Sequence, residues 1–132
     1  MPDIDASARC PCGTGLRYGE CCRPFLEADA QPPTAERMMR SRYTAYALRH
    51  PGYLLATWHP STRPAKLTLD PGLTWISLDI LGRTRGGMLD SVGTVDFRAT
   101  YRSEGMRMYQ QENSSFVREN KTWFYVDGVV SI

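Results

Sequence analysis

All four cysteines of this chain lie within thirteen positions near its amino terminus, as Cys10, Cys12, Cys21 and Cys22. Four thiolates so close in sequence can surround one metal ion, and Zn²⁺ takes four cysteine ligands in a tetrahedron at about 2.3 Å. The loop between the two pairs is too short to fold alone, so the metal must organise it. The cluster therefore predicts a structural zinc knuckle in which all four cysteines are ligands.

Three other states of the same cysteines are weaker alternatives. Disulfides are one, including a strained bridge between the adjacent Cys21 and Cys22, and four free thiols are another. Iron in a rubredoxin-like site is the third, since four cysteine ligands do not by themselves separate iron from zinc. A catalytic cysteine is disfavoured, because the segment holds no histidine and the chain has two in all, His50 and His59.

The remaining composition indicates a cytoplasmic protein without membrane insertion. Residues 1–5 include acidic side chains and lack the apolar stretch of a secretory signal. No apolar run approaches the roughly 20 residues that a transmembrane helix needs. In a reducing cytoplasm, a cysteine cluster is more often a metal site than a disulfide framework.

The charge balance argues against nucleic acid as the partner. Sixteen basic residues against fourteen acidic ones give a formal net charge of +2. That is too balanced to predict binding through bulk attraction to phosphates. RNA binding through Arg9, Arg17 and Arg23 is the weakest of the functional hypotheses.

Glycine and proline define the expected turns around the cysteines. Gly13 and Gly15 allow the positive φ angles that bring the first two sulfurs to one side. We expect backbone N–H groups of these turns to hydrogen-bond the sulfurs. After the adjacent pair, residues 22–25 are expected to form a short helical turn that Pro24 ends.

The middle of the chain predicts two helices. After a proline-containing linker, Thr34 is a suitable N-cap for a helix that ends near His50. Its buried stripe recurs at helical spacing, at Ala35, Met39, Tyr43 and Tyr46. Its polar face is expected to carry Arg37, Arg40, Ser41 and Thr44. Arg42 is expected near the buried side, and residues 53–59 form a second, shorter helix that Pro60 ends.

Beyond residue 72 the pattern changes to the alternation of β-strands. The first strand is expected to direct Leu73 and Trp75 to one face, and the other face carries Thr74, Ile76, Leu78 and Ile80. On the second strand, one face is expected to carry Val95, Phe97, Ala99 and Tyr101. A longer strand follows over residues 106–118, then a hairpin turn at 119–121 and a return strand at 123–126. This order predicts an α+β fold with helices packed on an antiparallel sheet.

The run Cys-Pro-Cys-Gly-Thr-Gly over residues 10–15, closed by the pair at 21–22, resembles the SEC-C motif. That motif is a zinc-binding module named for the C-terminus of the SecA translocation ATPase. Thr14 stands where the motif usually has serine. In SecA-type proteins the module resembles a docking tag, so the resemblance implies a protein partner.

Three further segments resemble the YchJ-like family of uncharacterised bacterial proteins: residues 39–46 (MRSRYTAY), 58–64 (WHPSTRP) and 112–119 (ENSSFVRE). The resemblance runs from residue 10 to residue 128. It implies a SEC-C zinc knuckle over residues 8–26. Over residues 33–130 it implies a cystatin-like α+β domain similar to nuclear transport factor 2. In that fold, helices pack on a curved antiparallel sheet that forms a cone around a cavity.

Polar residues in otherwise core-facing positions would line such a cavity. Glu112 lies in step with Ser114 and Phe116 on the third strand. We expect Arg42 to reach Glu112, and the pair is either a structural tie or an anchor for an anionic or polar ligand. The candidate cavity residues are Arg42, Tyr46, Trp58, His59, Glu112 and Ser114.

Two functions of different classes follow. The favoured one is a non-enzymatic adaptor that docks on a partner protein through the zinc knuckle. The other is a small-molecule binder or an isomerase- or dehydratase-like enzyme, with Glu112 or His59 as base and Arg42 or Tyr46 polarising the substrate. His59 also has a simpler interpretation as a hydrogen-bonded loop residue. The sequence does not decide whether the chain is an enzyme.

Overall fold

The computed structural model describes residues 4–130. A 3₁₀ turn and three helices precede four strands: Tyr18–Glu20, α1 (Arg23–Leu26), α2 (Ala35–Ala47), α3 (Pro51–Ala56), β1 (Leu73–Arg85), β2 (Val92–Ser103), β3 (Met106–Glu119) and β4 (Thr122–Val130). No helix within this range is long and apolar enough to cross a membrane. The expectation about residues 1–5 falls largely outside the described residues.

The four strands form one antiparallel sheet in the order β1-β2-β3-β4. The sheet curves around the helices, so the predicted α+β fold with its cone is confirmed. Between β3 and β4, Asn120 and Lys121 both have positive φ, 52° and 65°. Two such residues make the tight turn whose twist matches the flanking strands, which is the turn expected at 119–121.

The start of α2 agrees with the sequence, and its end differs slightly. Thr34 caps the helix by accepting a hydrogen bond from the Arg37 backbone N–H at 3.1 Å. The helix ends at Ala47, before Arg49, whose φ is +60°. Pro51 lies in the first turn of α3, where its missing N–H costs nothing. The second helix, predicted over residues 53–59, ends three residues earlier than expected, at Ala56.

The predicted polar face of α2 is wrong at two positions. Ser41 and Thr44 are fully buried rather than solvated. The Ser41 hydroxyl lies 2.7 Å from the hydroxyl of Tyr53 in α3. The Thr44 hydroxyl lies 3.7 Å from the sulfur of Cys10. Helix α2 is covered by α3 and by the cysteine segment as well as by the sheet, so a single buried stripe underestimates its contacts.

The predicted faces of β1 are also partly wrong. The register shifts between Trp75 and Ser77, where a β-bulge adds one residue. Trp75 and Leu78, expected on opposite faces, therefore both pack on the core side. Trp75 contacts Tyr43 of α2, with 6.1 Å between ring centroids. The alternation in β2 is confirmed, since the buried side chains are Val95, Phe97 and Ala99.

The cysteine segment is part of the same core as the sheet. One buried cluster contains the four cysteines, α2 residues such as Met38, and sheet residues such as Phe116 and Trp123. Arg40 of α2 donates a hydrogen bond to the Cys12 carbonyl at 2.7 Å. The N-terminal segment is therefore fixed against α2 rather than carried on a free tether.

Candidate functional site

The four cysteine sulfurs all lie within 4.8 Å of one another and are buried. Cys12 and Cys21 are 3.6 Å apart at their sulfurs, and Cys21 and Cys22 are 3.9 Å apart. A tetrahedron with metal–sulfur distances of 2.3 Å has edges of about 3.8 Å. These separations are far above the ~2.05 Å of a disulfide and no disulfide is formed, so the disulfide alternative is wrong. Their geometry fits one metal ion held by four sulfurs.

The first cysteine pair sits on a small hairpin. The Cys10 backbone N–H donates to the Leu16 carbonyl at 2.9 Å, and the chain turns between them. Gly13 and Gly15 have φ angles of +83° and +88°, as predicted. A side chain at either position would strain this turn. The two glycines thus let Cys10 and Cys12 point into one centre.

The second pair joins the 3₁₀ turn to α1. Cys22 is the N-cap of α1, and the helix continues through Phe25, which is buried. Pro24 lies in the first turn of this helix, so the prediction that it ends the turn is wrong. Proline is tolerated there because the first turn has no intrahelical partner for its N–H. The guanidinium of Arg37 covers the Phe25 ring at 5.3 Å.

Hydroxyl and backbone groups surround the sulfurs. The Thr14 hydroxyl lies 3.2 Å from the sulfur of Cys21 and accepts a hydrogen bond from the Leu16 backbone N–H. The Thr14 backbone also hydrogen-bonds the Cys12 sulfur. Such contacts orient the ligands of a metal and moderate their charge. Threonine at this position therefore keeps the hydroxyl that serine supplies in the motif.

Crowding separates the pKa values of the four thiols. The hydrogen bond from Cys10 holds the pKa of Cys12 far below its ordinary value, and the one from Cys22 lowers the pKa of Cys21 to about 6. The same contacts raise the pKa of Cys10 to about 11 and that of Cys22 well above its usual range. Cys12 and Cys21 are thus shifted toward the thiolate, the form that binds metal, and Cys10 and Cys22 away from it.

A second candidate site is a cavity of about 240 Å³ between α2 and the sheet. Its walls are formed by Met39, Arg42, Tyr43, Tyr46, Trp75, Phe97, Gln110, Glu112, Ser114 and Tyr125. Four of the six candidate cavity residues lie here, namely Arg42, Tyr46, Glu112 and Ser114. The sequence reasoning missed Gln110, although it is in step with Glu112 on β3. It also missed Tyr125, because nothing local indicates which face of the short return strand meets α2.

Arg42 is almost completely buried, with 2 % of its surface exposed. One terminal nitrogen donates to the Leu54 carbonyl at 2.8 Å and to the Thr57 hydroxyl at 2.7 Å. The guanidinium lies between two rings, at 5.1 Å from the centroid of Trp58 and 4.5 Å from that of Tyr125. Cation–π contacts of this kind offset part of the cost of burying the charge.

The expected ion pair between Arg42 and Glu112 is not formed. Within residues 4–130 the guanidinium makes no ion pair with a carboxylate. Glu112 instead accepts hydrogen bonds from the Ser114 hydroxyl at 2.7 Å and the Gln110 amide at 3.3 Å. Burial raises the pKa of Tyr46, so its hydroxyl stays protonated at neutral pH. The cavity therefore holds two opposite charges on separate walls.

The other two candidates, Trp58 and His59, do not line the cavity. The His59 Nδ1 accepts a hydrogen bond from the Ser61 backbone N–H at 3.1 Å, so Nε2 carries the proton that it donates to Glu119 at 3.0 Å. This ties the loop to the end of β3 and agrees with the simpler interpretation of His59. Trp58 packs behind Arg42, and its buried indole N–H has no partner within the described residues.

A larger hollow of about 520 Å³ lies between the linker, α3 and the start of β4. Its walls include Phe25, Tyr53, Trp123 and Phe124. None of the candidate cavity residues lines it, and no pair of opposite charges converges there. The smaller cavity is therefore the better ligand site, because it combines apolar walls with converging polar groups.

Comparison with known proteins identifies both parts of the chain. Residues 34–128 match the family model described as YchJ, middle NTF2-like domain, and residues 7–24 match the SEC-C motif. A UPF0225 protein of Corynebacterium glutamicum is 51% identical over 92% of this chain and 97% of its own length. A UPF0225 protein of Chromobacterium violaceum is 46% identical over 96% of both chains.

Two solved structures share the whole architecture. A SEC-C motif containing protein from Rhodopseudomonas palustris has a TM-score of 0.82 and 31% identity, over 93% of this chain and 98% of that one. A second, from Psychrobacter arcticus, has a TM-score of 0.76 and 26% identity, over 96% of this chain and 85% of that one. The likeness spans the cysteine segment and the cavity-bearing domain together.

Proposed function

This chain belongs to the YchJ-like family of UPF0225 proteins, and we propose that it is a zinc-dependent, non-enzymatic adaptor that docks on a partner protein through its N-terminal module. The observation that carries the proposal is the arrangement of this module. Its cysteines are buried against α2, while the turn over residues 13–17 remains largely at the surface. A metal ion at the cysteines would hold that turn in one shape for recognition.

Zinc is the ion we propose. The sulfur–sulfur distances of 3.6 and 3.9 Å suit four thiolates around one tetrahedral ion. Iron is the alternative, and it is distinguished by colour, because ferric thiolate sites absorb visible light and zinc sites do not. Elemental analysis of protein purified under reducing conditions should find one zinc per chain. Freshly purified protein without any metal would contradict the proposal.

The exposed turn indicates the chemistry of the partner. Leu16 is 46% exposed and is followed by Arg17, which faces Arg9 across the hairpin. Arg9 also donates to the Gly15 carbonyl at 3.2 Å, which steadies the turn. A turn that carries an exposed apolar side chain and two arginines complements a protein surface with an apolar hollow and acidic groups. We infer a partner of that kind.

Quantitative affinity capture from the native organism tests this surface. Leu16→Ala and Cys21→Ser should both lose a protein that the unchanged chain recovers, and Leu16→Ala should keep its zinc. Leu89→Ala is the matched control, since Leu89 is 97% exposed in the loop before β2. Equal recovery by the Leu16 variant and the control would overturn the docking surface. Loss with Cys21→Ser alone would place the docking surface elsewhere on the chain.

We further infer a cytoplasmic location without membrane insertion, because the module needs reduced cysteines. Cell fractionation with thiol labelling tests it. Recovery of the protein from a membrane fraction, or with oxidised cysteines, would contradict it.

A second candidate function is binding of a small molecule in the cavity, with an isomerase- or dehydratase-like reaction as its enzymatic form. The buried Arg42 without an ion pair favours it, because an unpaired buried charge is costly unless something else compensates it. In the enzymatic form Glu112 is the base and the Tyr46 hydroxyl polarises the substrate. Saturable quenching of Trp75 fluorescence by small molecules would support binding. Turnover lost in Glu112→Gln while binding persists would support the enzyme.

A further inference from the structure

The cavity keeps its two charged groups apart instead of pairing them. Arg42 is held on one side by the Leu54 carbonyl and the Thr57 hydroxyl, at 2.8 and 2.7 Å. Glu112 is held on the other by Ser114 and Gln110. Each charge is fixed by neutral partners, so neither is free to swing across and cancel the other. The cavity therefore presents a positive end and a negative end.

This arrangement favours a ligand that carries one positive and one negative charge. The two charges sum to zero, so a ligand with net charge would leave one of them uncompensated in a poorly solvated space. A neutral ligand without charges would leave both without an ionic partner. A zwitterion can pair with both charges. The low dielectric of the interior strengthens these two electrostatic interactions.

The positive end has a second donor. Tyr46 lies one helical turn after Arg42 on α2, lines the same cavity, and stays protonated because burial raises its pKa. The Tyr46 O–H is then available to donate to a carboxylate that approaches Arg42. At the other end, Glu112 retains acceptor capacity beyond its bonds to Ser114 and Gln110, because a carboxylate has about four lone-pair sites. An ammonium group can occupy that capacity.

The remaining walls of the cavity are largely apolar and aromatic. Trp75, Phe97 and Tyr43 contribute rings to its walls, together with Met39. Trp75 also contacts Tyr46, with 5.9 Å between centroids. A volume of about 240 Å³ is below the roughly 300–1,000 Å³ of sites for drug-sized ligands. The cavity suits a molecule of amino-acid size with an aromatic or large aliphatic side chain.

We propose that the cavity binds a free α-amino acid with a large apolar side chain, its carboxylate on Arg42 and Tyr46 and its ammonium on Glu112. This inference rests on the small-molecule function proposed above and names its ligand class.

Calorimetric titration of the full, metal-bearing chain with four matched probes tests the proposal. The probes are L-phenylalanine, 3-phenylpropanoate, phenethylamine and 3-phenyl-1-propanol, which share a ring and differ in charge. L-phenylalanine should bind about tenfold more tightly than either singly charged probe, because each of these forfeits one charge-assisted hydrogen bond. Glu112→Gln, which keeps the size of the side chain, should abolish the preference for L-phenylalanine over 3-phenylpropanoate.

Glu104→Gln is the matched control, since Glu104 lies in the exposed turn between β2 and β3. It should leave all four affinities unchanged. If 3-phenyl-1-propanol binds as tightly as L-phenylalanine, the zwitterion proposal is wrong and small-molecule binding stands. If none of the four probes binds, both are overturned. Because the probe comparison uses the unchanged chain, it decides the matter even if the Glu112 variant fails to fold.

Discussion

The cysteine cluster and the cavity are built in opposite ways around the same helix. The four sulfurs come from one short stretch of chain and converge within 4.8 Å. The cavity draws on α2 and all four strands, and it keeps its charged groups apart. Thr44 contacts the first site and Arg42 the second, and positions two apart on a helix point about 200° from each other. Sulfurs from one short segment can converge on a single ion, whereas charged groups held apart by distant segments leave space for a ligand.

Removing the metal should be the most damaging change and should affect both regions. Cys21→Ser leaves three buried thiols without an ion and a strong chelator leaves four, and the module packs directly on α2. We expect a loss of about 5 kcal/mol or more in the free energy of unfolding, since metal binding to such modules is coupled to folding. Thermal unfolding with and without chelator measures it.

Arg17→Ala serves as the control, because Arg17 is exposed on the same hairpin and supplies no sulfur. It should retain the metal and its melting temperature. An unchanged melting temperature after complete metal removal would show that the module is not needed for the fold of the body.

Replacing Arg42 should be the next most damaging change, and it tests the cavity side of α2. Arg42→Met loses two hydrogen bonds and the contacts to the rings of Trp58 and Tyr125. It also leaves Glu112 without a nearby opposite charge. We expect a loss of about 3 kcal/mol in urea unfolding, the scale of breaking a buried polar network.

Arg98→Met is the matched control for this variant. Arg98 also lies over an aromatic ring, that of Tyr109 at 4.8 Å, but it is exposed. Its loss should cost about 0.5–1 kcal/mol at most. Equal effects of the two substitutions would mean that burial gives Arg42 no special role.

Thr14 offers a change confined to the metal centre. Its hydroxyl lies 3.2 Å from the sulfur of Cys21. Thr14→Val keeps the shape and removes the hydroxyl, so zinc affinity should fall about 10- to 100-fold in a chelator competition assay. Thr14→Ser retains the hydroxyl and should stay within a few-fold of the original affinity. Equal affinities in the valine and serine variants would exclude a role for the hydroxyl.

The convergence of the four cysteines could be predicted from the sequence because its information is local. Gly13 and Gly15 adopt the positive φ angles that the spacing requires, and the four cysteines are neighbours along the chain. The cavity could be predicted only in part. Arg42 and Glu112 do line one cavity, but the hydrogen bonds that Arg42 donates to Leu54 and Thr57 hold it away from Glu112, and they depend on where α3 docks.

The errors in the fold have the same origin. Trp75 and Leu78 share a face because of a bulge that strict alternation does not contain. Ser41 and Thr44 are buried because two further segments cover α2. In each case the deciding contact comes from a distant part of the chain, which periodicity within one element cannot represent.

The smallest effect should come from replacing Ser41, because this change lowers the stability of α2 without altering either site. Its hydroxyl donates to the Met38 carbonyl at 2.7 Å and lies beside the hydroxyl of Tyr53. Ser41→Ala removes these bonds and leaves the sulfurs and the cavity walls unchanged, so the free energy of unfolding should fall by about 1 kcal/mol. Zinc affinity and probe binding should be unchanged, as competition assays and calorimetry would measure. If zinc affinity and probe binding both fell, the two sites would be coupled through α2. Their different construction, one local and one long-range, would then not make them independent of each other.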